Sequence, residues 1–348
     1  MVNFTILAGG YSTFVASYAF NTDISSLTLQ SQSTTGANPS WIALHPTNNS
    51  VLYAVNENTD GALQSFLIGS QGQLSGVQGE ISSGGNGPAF TAPLSSGDVA
   101  IMNFGSGNGL ILPTFNAIDF GSAPLITFPA SVSNPHMALE NGNEVLVPDL
   151  GADKIWRLVE DDTPGSWKIQ GEIAQPQGSG PRHIAIYNDT LYTVHETAST
   201  LTEQPIPTAP NGTSEITAQL STIPNNTLTD AKFAAAEILI PTPNTEYPDA
   251  FIYVSNRNVG NTTDPRGDSI AIYKISPQLH LVAQVYTGLQ QVRGMSIGGL
   301  NDEFLVAGGV VGDGGIVVYQ RTNDGGGLME IARNKDVPTR TSFVWGTW

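Results

Sequence analysis

One pattern limits the folds open to this chain more than any other. A short apolar strand with a polar or turn-forming end recurs six times, at intervals of 46 to 61 residues. The copies are Leu52-Tyr-Ala-Val-Asn-Glu57, Val99-Ala-Ile-Met-Asn-Phe104, Val145-Leu-Val-Pro-Asp-Leu150, Leu191-Tyr-Thr-Val-His-Glu196, Ile252-Tyr-Val-Ser-Asn-Arg257 and Phe304-Leu-Val-Ala-Gly-Gly309. Each follows a shorter strand, such as His183-Ile-Ala-Ile186, and precedes two more. Four strands per unit at this period predict a β-propeller. The six units leave three strands at the N-terminus (5–9, 14–20 and 26–32) and one orphan at the C-terminus (342–346). Joined in one blade, they make a seventh unit, close the ring and remove the exposed sheet edges. The expectation is an all-β, seven-bladed β-propeller, one domain over residues 1–348. No long stretch carries helical periodicity, and 38 Gly and 22 Pro supply turns throughout. The two longest intervals place surface loops at 197–231 and 258–268.

In a propeller the first strand of each blade lines the channel. The start of that strand and the end of the second converge on one mouth, which makes a concave site. The strand-opening positions here hold Trp41, Phe90, His136, Arg182 with His183, Glu237, and Arg293. The strand-closing positions hold Glu57, Asp149, Glu196 and Arg257. The hairpin 180–196, turning at Asn188-Asp189, brings Arg182, His183, His195 and Glu196 to one edge. This concentration stands out because the chain is acidic: 13 Lys and Arg oppose 30 Asp and Glu, a net charge of −17. Such a surface disfavours nucleic acid and anionic membranes, and no apolar run is long enough to cross a bilayer. Yet three of eight arginines fall on the ring.

These residue types can hold and polarise an oxygen. Arg182 and Arg257 can fork a carboxylate or stabilise an oxyanion. Glu196 and His136, the latter set by Asn134-Pro135, can move protons. Glu57, Glu237, Arg293, His183 and His195 are candidate substrate contacts, although strand alternation can turn the two histidines away from the mouth. The structural reading of the same residues is a buried charge network locking the blades, with the arginines paired to Glu57, Asp149 and Glu196. Asp149 and Asp153 read as turn-bonding residues, His45 as a turn residue and His280 as a surface one. With no cysteine and no clustered ligands, no metal site is expected, and no cofactor. Gly105-Ser-Gly-Asn-Gly109 reads as a hairpin turn, not a phosphate loop. Six N-x-Ser/Thr sequons, at Asn3, Asn48, Asn188, Asn211, Asn225 and Asn261, point to a secreted glycoprotein. No leader is visible: Met1 runs directly into Val2-Asn3-Phe4-Thr5, which is too polar.

Several motifs together resemble the lactonase family of seven-bladed propellers: Asn134-Pro-His136, Val147-Pro-Asp-Leu-Gly-Ala-Asp-Lys154, Gly180-Pro-Arg-His183, Ala235-Ala-Glu-Ile238, Tyr253-Val-Ser-Asn-Arg257 and Asp268-Ser-Ile-Ala-Ile-Tyr273. That family holds propeller-type 6-phosphogluconolactonases and the fungal 3-carboxy-cis,cis-muconate lactonizing enzyme. The resemblance implies a metal-independent site of one histidine, two arginines and one glutamate, which fall by motif on His136, Arg182, Arg257 and Glu196. The expected function is lactone hydrolysis or lactonization of a small lactone or carboxylate. The sequons favour an extracellular substrate such as a sugar aldonolactone. Two alternatives stay open: a non-catalytic propeller binding acidic sugars or a protein, and a lyase or isomerase acting next to a carboxylate.

Overall fold

In a computed structural model, the repeat becomes seven four-stranded antiparallel sheets set in a ring. The structure describes residues 3–163 and 165–348; Met1 and Val2, which head the segment read for a leader, lie outside the described residues. Blade 1 is shared by the termini: Ser342–Gly346 is innermost, followed outward by Asn3–Gly9, Phe14–Asn21 and Ser26–Thr34. Blades 2 to 7 then follow in chain order over 42–82, 88–127, 139–174, 181–221, 233–286 and 290–334. The closing strand pairs Ile6 with Trp345 and Ala8 with Phe343.

The second strands are apolar along their whole length because both of their faces are packed. In Val51–Asn56 every residue is buried. Leu52 and Ala54 face a cluster shared with blade 1, while Val51, Tyr53 and Val55 face one shared with blade 3. Each of the seven blade interfaces has its own such cluster, so the ring is held by seven separate cores. The interface that closes the ring is aromatic. Phe20 lies edge-on to Phe304 at 5.0 Å and to Trp345 at 6.2 Å, and Phe20 has no exposed surface. Phe20→Ala is expected to cost about 3–5 kcal/mol through the cavity it leaves. A urea midpoint shifted at constant slope would measure it.

Residues 197–231 are not simply a loop: they contain the third and fourth strands of blade 5, Thr200–Pro205 and Ala218–Ser221. Their buried positions include Thr202 and Gln204, so the segment reads as polar. Gln204 meets its hydrogen-bonding needs inside, with Gln175 and the Ser214 carbonyl. The other insertion, 258–268, is a loop beyond its first residue. The turn of the 180–196 hairpin has Asn188 and Asp189 in the left-handed region, φ 48° and 58°, as a type I′ turn requires.

Candidate active site

The innermost strands enter the ring through an irregularity that alternation alone does not foresee. In blade 5 Pro181 pairs with His195 and His183 with Val194, so Arg182 is an extra residue in a bulge. Equivalent register shifts occur in blade 3 around Ala89, in blade 6 around Ala236-Glu237 and in blade 7 around Arg293. A bulge breaks the period of two and re-aims side chains. Arg182 and His183, neighbours in sequence, therefore both join the charge cluster of the channel. Alternation therefore does not turn His183 away from the channel. The residue after the blade 7 bulge must be glycine: a Cβ on Gly294 would stand 2.0 Å from the Thr341 carbonyl oxygen of the closing strand.

Three arginines and two glutamates meet at this mouth. Glu196, whose N–H donates to the Gly180 carbonyl at 2.7 Å, sits at the centre. Its Oε2 is 2.6 Å from Arg257 Nη2 and 2.9 Å from Arg182 Nε. Arg182 is fully buried and donates through Nη1 to the Ala236 carbonyl at 2.7 Å, but its Nη2 has no hydrogen-bond partner among the described residues. Arg257 leans on the carbonyls of Ala234 and Ala235. Arg293 faces the Tyr11 ring and lies 3.9 Å from Glu57, which accepts a 3.0 Å hydrogen bond from the Tyr11 hydroxyl. Tyr11 has no counterpart among the sequence candidates. It follows the second strand of blade 1, a strand-closing position hidden because that blade is split between the termini.

Below the arginines, four rings from successive blades close the channel. Trp41, Phe90 and His183 each stand two residues after the proline of an Asn-Pro or Gly-Pro step, and His136 stands directly after the proline of one. His183 is central: it lies edge-on to Trp41 at 5.2 Å, to Phe90 at 5.6 Å and to His136 at 5.1 Å. Its Nε2 is 3.2 Å from His136 Nδ1, and its Nδ1 is 2.8 Å from Glu237 Oε1. Among the described residues Asp149 pairs with no arginine. It accepts from the Asn134 N–H, Ser133 and Trp156, which fixes the chain entering His136. Asp153 likewise holds the Gly178 and Gly180 amides, and His45 accepts from its own turn. His195 points away from the arginines, between blades, where Gln175 and Thr200 take its ring nitrogens. Regular alternation next to Glu196 puts it there.

Charge and burial set the protonation states. Desolvation, then the Arg182, His183 and Arg293 charges, hold His136 well below the usual imidazole range. His183 is also lowered, by burial against the opposing pull of Glu237. Both rings are therefore neutral at neutral pH. Burial raises the Glu196 carboxyl, but Arg257, Arg182 and Arg293 outweigh it and hold the group below its ordinary value. Burial and the repulsion of Arg293 and Arg257 pull Arg182 down to about 9, still protonated at neutral pH.

The buried histidines make stability depend on pH. Burial lowers His195 to about 4, so below pH 6.5 the unfolded chain binds its proton more readily than the folded one. Its contribution is complete above about pH 6.5 and is lost as pH falls toward 4, by about 3 kcal/mol. His136 and His183 act in the same direction. Urea midpoints are expected to fall steeply between pH 7 and 4.5, and less so in His195→Gln.

A propeller whose mouth gathers arginines, glutamates and a neutral histidine belongs to a recognisable class of small-molecule sites. Residues 5–345 match the lactonase family described as "Lactonase, 7-bladed beta-propeller", and the chain belongs to that family. A probable 6-phosphogluconolactonase of Arthroderma benhamiae is 26% identical over 318 residues, covering 83% of this chain and 75% of the relative. Among solved structures, a Lactobacillus plantarum protein superposes with a TM-score of 0.84 at 21% identity, covering 99% of this chain and all of the other. The periplasmic gluconolactonase of Pseudomonas aeruginosa gives 0.84 at 17% identity, with both chains fully covered. These two share the fold.

Proposed function

We propose that the protein hydrolyses a lactone, opening its ring at the Arg182–Glu196–Arg257 mouth with His136 as the proton carrier. The observation that carries this reading is the Arg182 guanidinium: fully buried, charged, with Nη2 unpartnered, beside a neutral histidine. Such a donor is fixed before substrate arrives, which is what oxyanion stabilisation needs. The lactone carbonyl oxygen takes the Nη2 hydrogen bond once the groups that cover Nη2 in the free protein give way. Water attacks the carbonyl carbon as His136 Nε2 accepts its proton, and Arg182 holds the oxyanion. Collapse breaks the bond between the acyl carbon and the ring oxygen, which takes the proton from His136. The product is the hydroxy acid, whose carboxyl proton goes to solvent.

Glu196 has its Oε2 occupied by Arg182 and Arg257, so it is not the group left free to take a proton. Its role is to orient both guanidinium groups and accept from a substrate hydroxyl. The mouth is open to water through Glu196 and Glu57, with 26% and 19% of their side chains exposed, which favours attack by water over proton abstraction from carbon. Family membership and the names of the relatives also favour ring opening over lactonization or a lyase reaction. A groove of about 430 Å³ on the outer strands of blade 4, lined by Trp156, Gln170 and Asn211, is a poorer candidate. Its carboxylate, Glu172, is paired with Lys154.

The substrate class favoured is a sugar aldonolactone. The test is turnover of δ-gluconolactone, its 6-phosphate and muconolactone, with products identified by NMR. Hydroxy acid formed faster than spontaneous opening supports the reading. Ligands retained without turnover point to a binding propeller, and an isomerised product to the lyase reading; either overturns it.

We place the protein outside the cell as a glycoprotein. All six sequon asparagines are exposed. The second strands run toward the active mouth, so the turns holding Asn48, Asn188 and Asn211, and the strand start at Asn3, lie at the opposite end. Glycans at these four leave the site open, whereas Asn225 and Asn261 follow strand ends on the mouth side. Protein secreted from a eukaryotic host is expected to lose mass on treatment with peptide N-glycosidase F; no mass change contradicts this placement.

A further inference from the structure

We infer that Glu237 and His183 form a positioning relay that fixes the tautomer of His136 and presents its Nε2 lone pair to substrate. The inference rests on the hydrolytic reading for its purpose, but its geometry stands apart from it. The chain of contacts crosses three blades. Glu237 Oε1 accepts from the Ile238 backbone N–H at 3.1 Å, so this oxygen is an acceptor. His183 Nδ1, 2.8 Å from the same oxygen, must then be the donor. In a neutral ring that leaves His183 Nε2 as an acceptor. The group opposite it, 3.2 Å away, is His136 Nδ1, which must carry the next proton. A neutral His136 then has an unprotonated Nε2, and that atom makes no hydrogen bond among the described residues. One carboxylate oxygen thus dictates the protonation of a ring two residues away.

The surroundings suit this task. Trp41 and Phe90 pack on His183, Phe104 lies edge-on to His136 at 5.5 Å, and neither histidine is more than 3% exposed. Water therefore does not compete for the two bonds, and a low local dielectric strengthens them. The Glu237 backbone is set by the blade 6 bulge, where its N–H donates to Ser255 Oγ at 3.0 Å. When His136 takes a proton from water, its positive charge is shared along the Nδ1–H bond toward Glu237, as a carboxylate supports the imidazolium of a catalytic triad. In this relay Glu237 and His183 act through His136 and are positioning residues.

The test is ¹⁵N NMR of the histidine rings of the full-length protein at neutral pH, together with Glu237→Gln kinetics. The expected wild-type signature is His136 protonated at Nδ1 and bare at Nε2, with His183 in the same tautomer. Glu237→Gln keeps an acceptor but removes the charge, and is expected to lower kcat about 10- to 100-fold with KM within about twofold, less than loss of a directly bonded triad carboxylate. A wild-type His136 protonated at Nε2, or a Glu237→Gln enzyme with unchanged kcat, would overturn the relay. The NMR result does not depend on turnover. A wild-type protein with the expected tautomers but no lactonase activity would refute the hydrolytic reading and leave the relay standing.

Discussion

His136→Asn is expected to lower kcat for lactone opening by about 10²–10⁴-fold, the usual worth of a positioned general base. KM should change little, because the proton transfer occurs in the transition state and the arginines that grip the carbonyl remain. Asparagine is the informative replacement. It approximates the ring's volume near the backbone and can still donate toward His183 Nε2, but offers no basic nitrogen. His136 is buried and its chain is fixed by its own N–H to the Pro148 carbonyl and by the Leu150 N–H to the Asn134 carbonyl, so the backbone should survive. Steady-state kinetics with pH-stat detection measures the effect. A variant retaining more than a tenth of wild-type kcat would remove His136 from the chemistry.

Arg182→Met should reduce kcat/KM by about 10²–10³-fold, the cost of one preorganised oxyanion donor. Its effect on folding should be small by comparison. Methionine fills the buried volume, Glu196 keeps Arg257 at 2.6 Å, and the repulsion among three arginines is relieved. Removing one partner of a buried ion pair is costly when it strands the other charge, but here Glu196 keeps Arg257, so no buried charge is left unpaired. The main loss is the donor to the Ala236 carbonyl. Arg182→Lys should not restore activity, since one ammonium cannot serve Ala236, Glu196 and substrate in the planar geometry of a guanidinium. Urea midpoints alongside the kinetics separate the two contributions: a collapse in stability matching the loss of rate would make Arg182 a structural ion.

The ring was legible in the sequence because each second strand is buried on two faces, and a doubly packed strand such as Val51–Asn56 shows as an apolar run at a constant interval. The split blade was legible for the same reason, with Ser342–Gly346 left unpaired in any linear count. The candidate residues of the mouth could be picked out because arginine is scarce here and its ring positions stand out. Their arrangement could not. A bulge is one extra residue with no compositional mark, so Arg182 and His183 looked like an alternating pair when both face the channel. Tyr11 was hidden by the break in blade 1. The strand Thr200–Pro205 was hidden by burying threonine and glutamine where aliphatic residues were expected. The position of His195, beside Glu196 in sequence yet bonded to Gln175, follows from regular alternation at a strand end.

The central claim is that Arg182 and Arg257 grip the acyl end of a lactone while His136 faces its ring oxygen. A crystal structure of the protein soaked with an aldonate product, or with the corresponding lactam, tests this most directly. The account expects one acyl oxygen within hydrogen-bond distance of Arg182 Nη2, a second polar contact to Arg257, and His136 Nε2 within reach of the ring heteroatom or the hydroxyl derived from it. A ligand seated in the outer groove of blade 4 with the mouth empty, or bound with its acyl carbon turned away from Arg182, would contradict it.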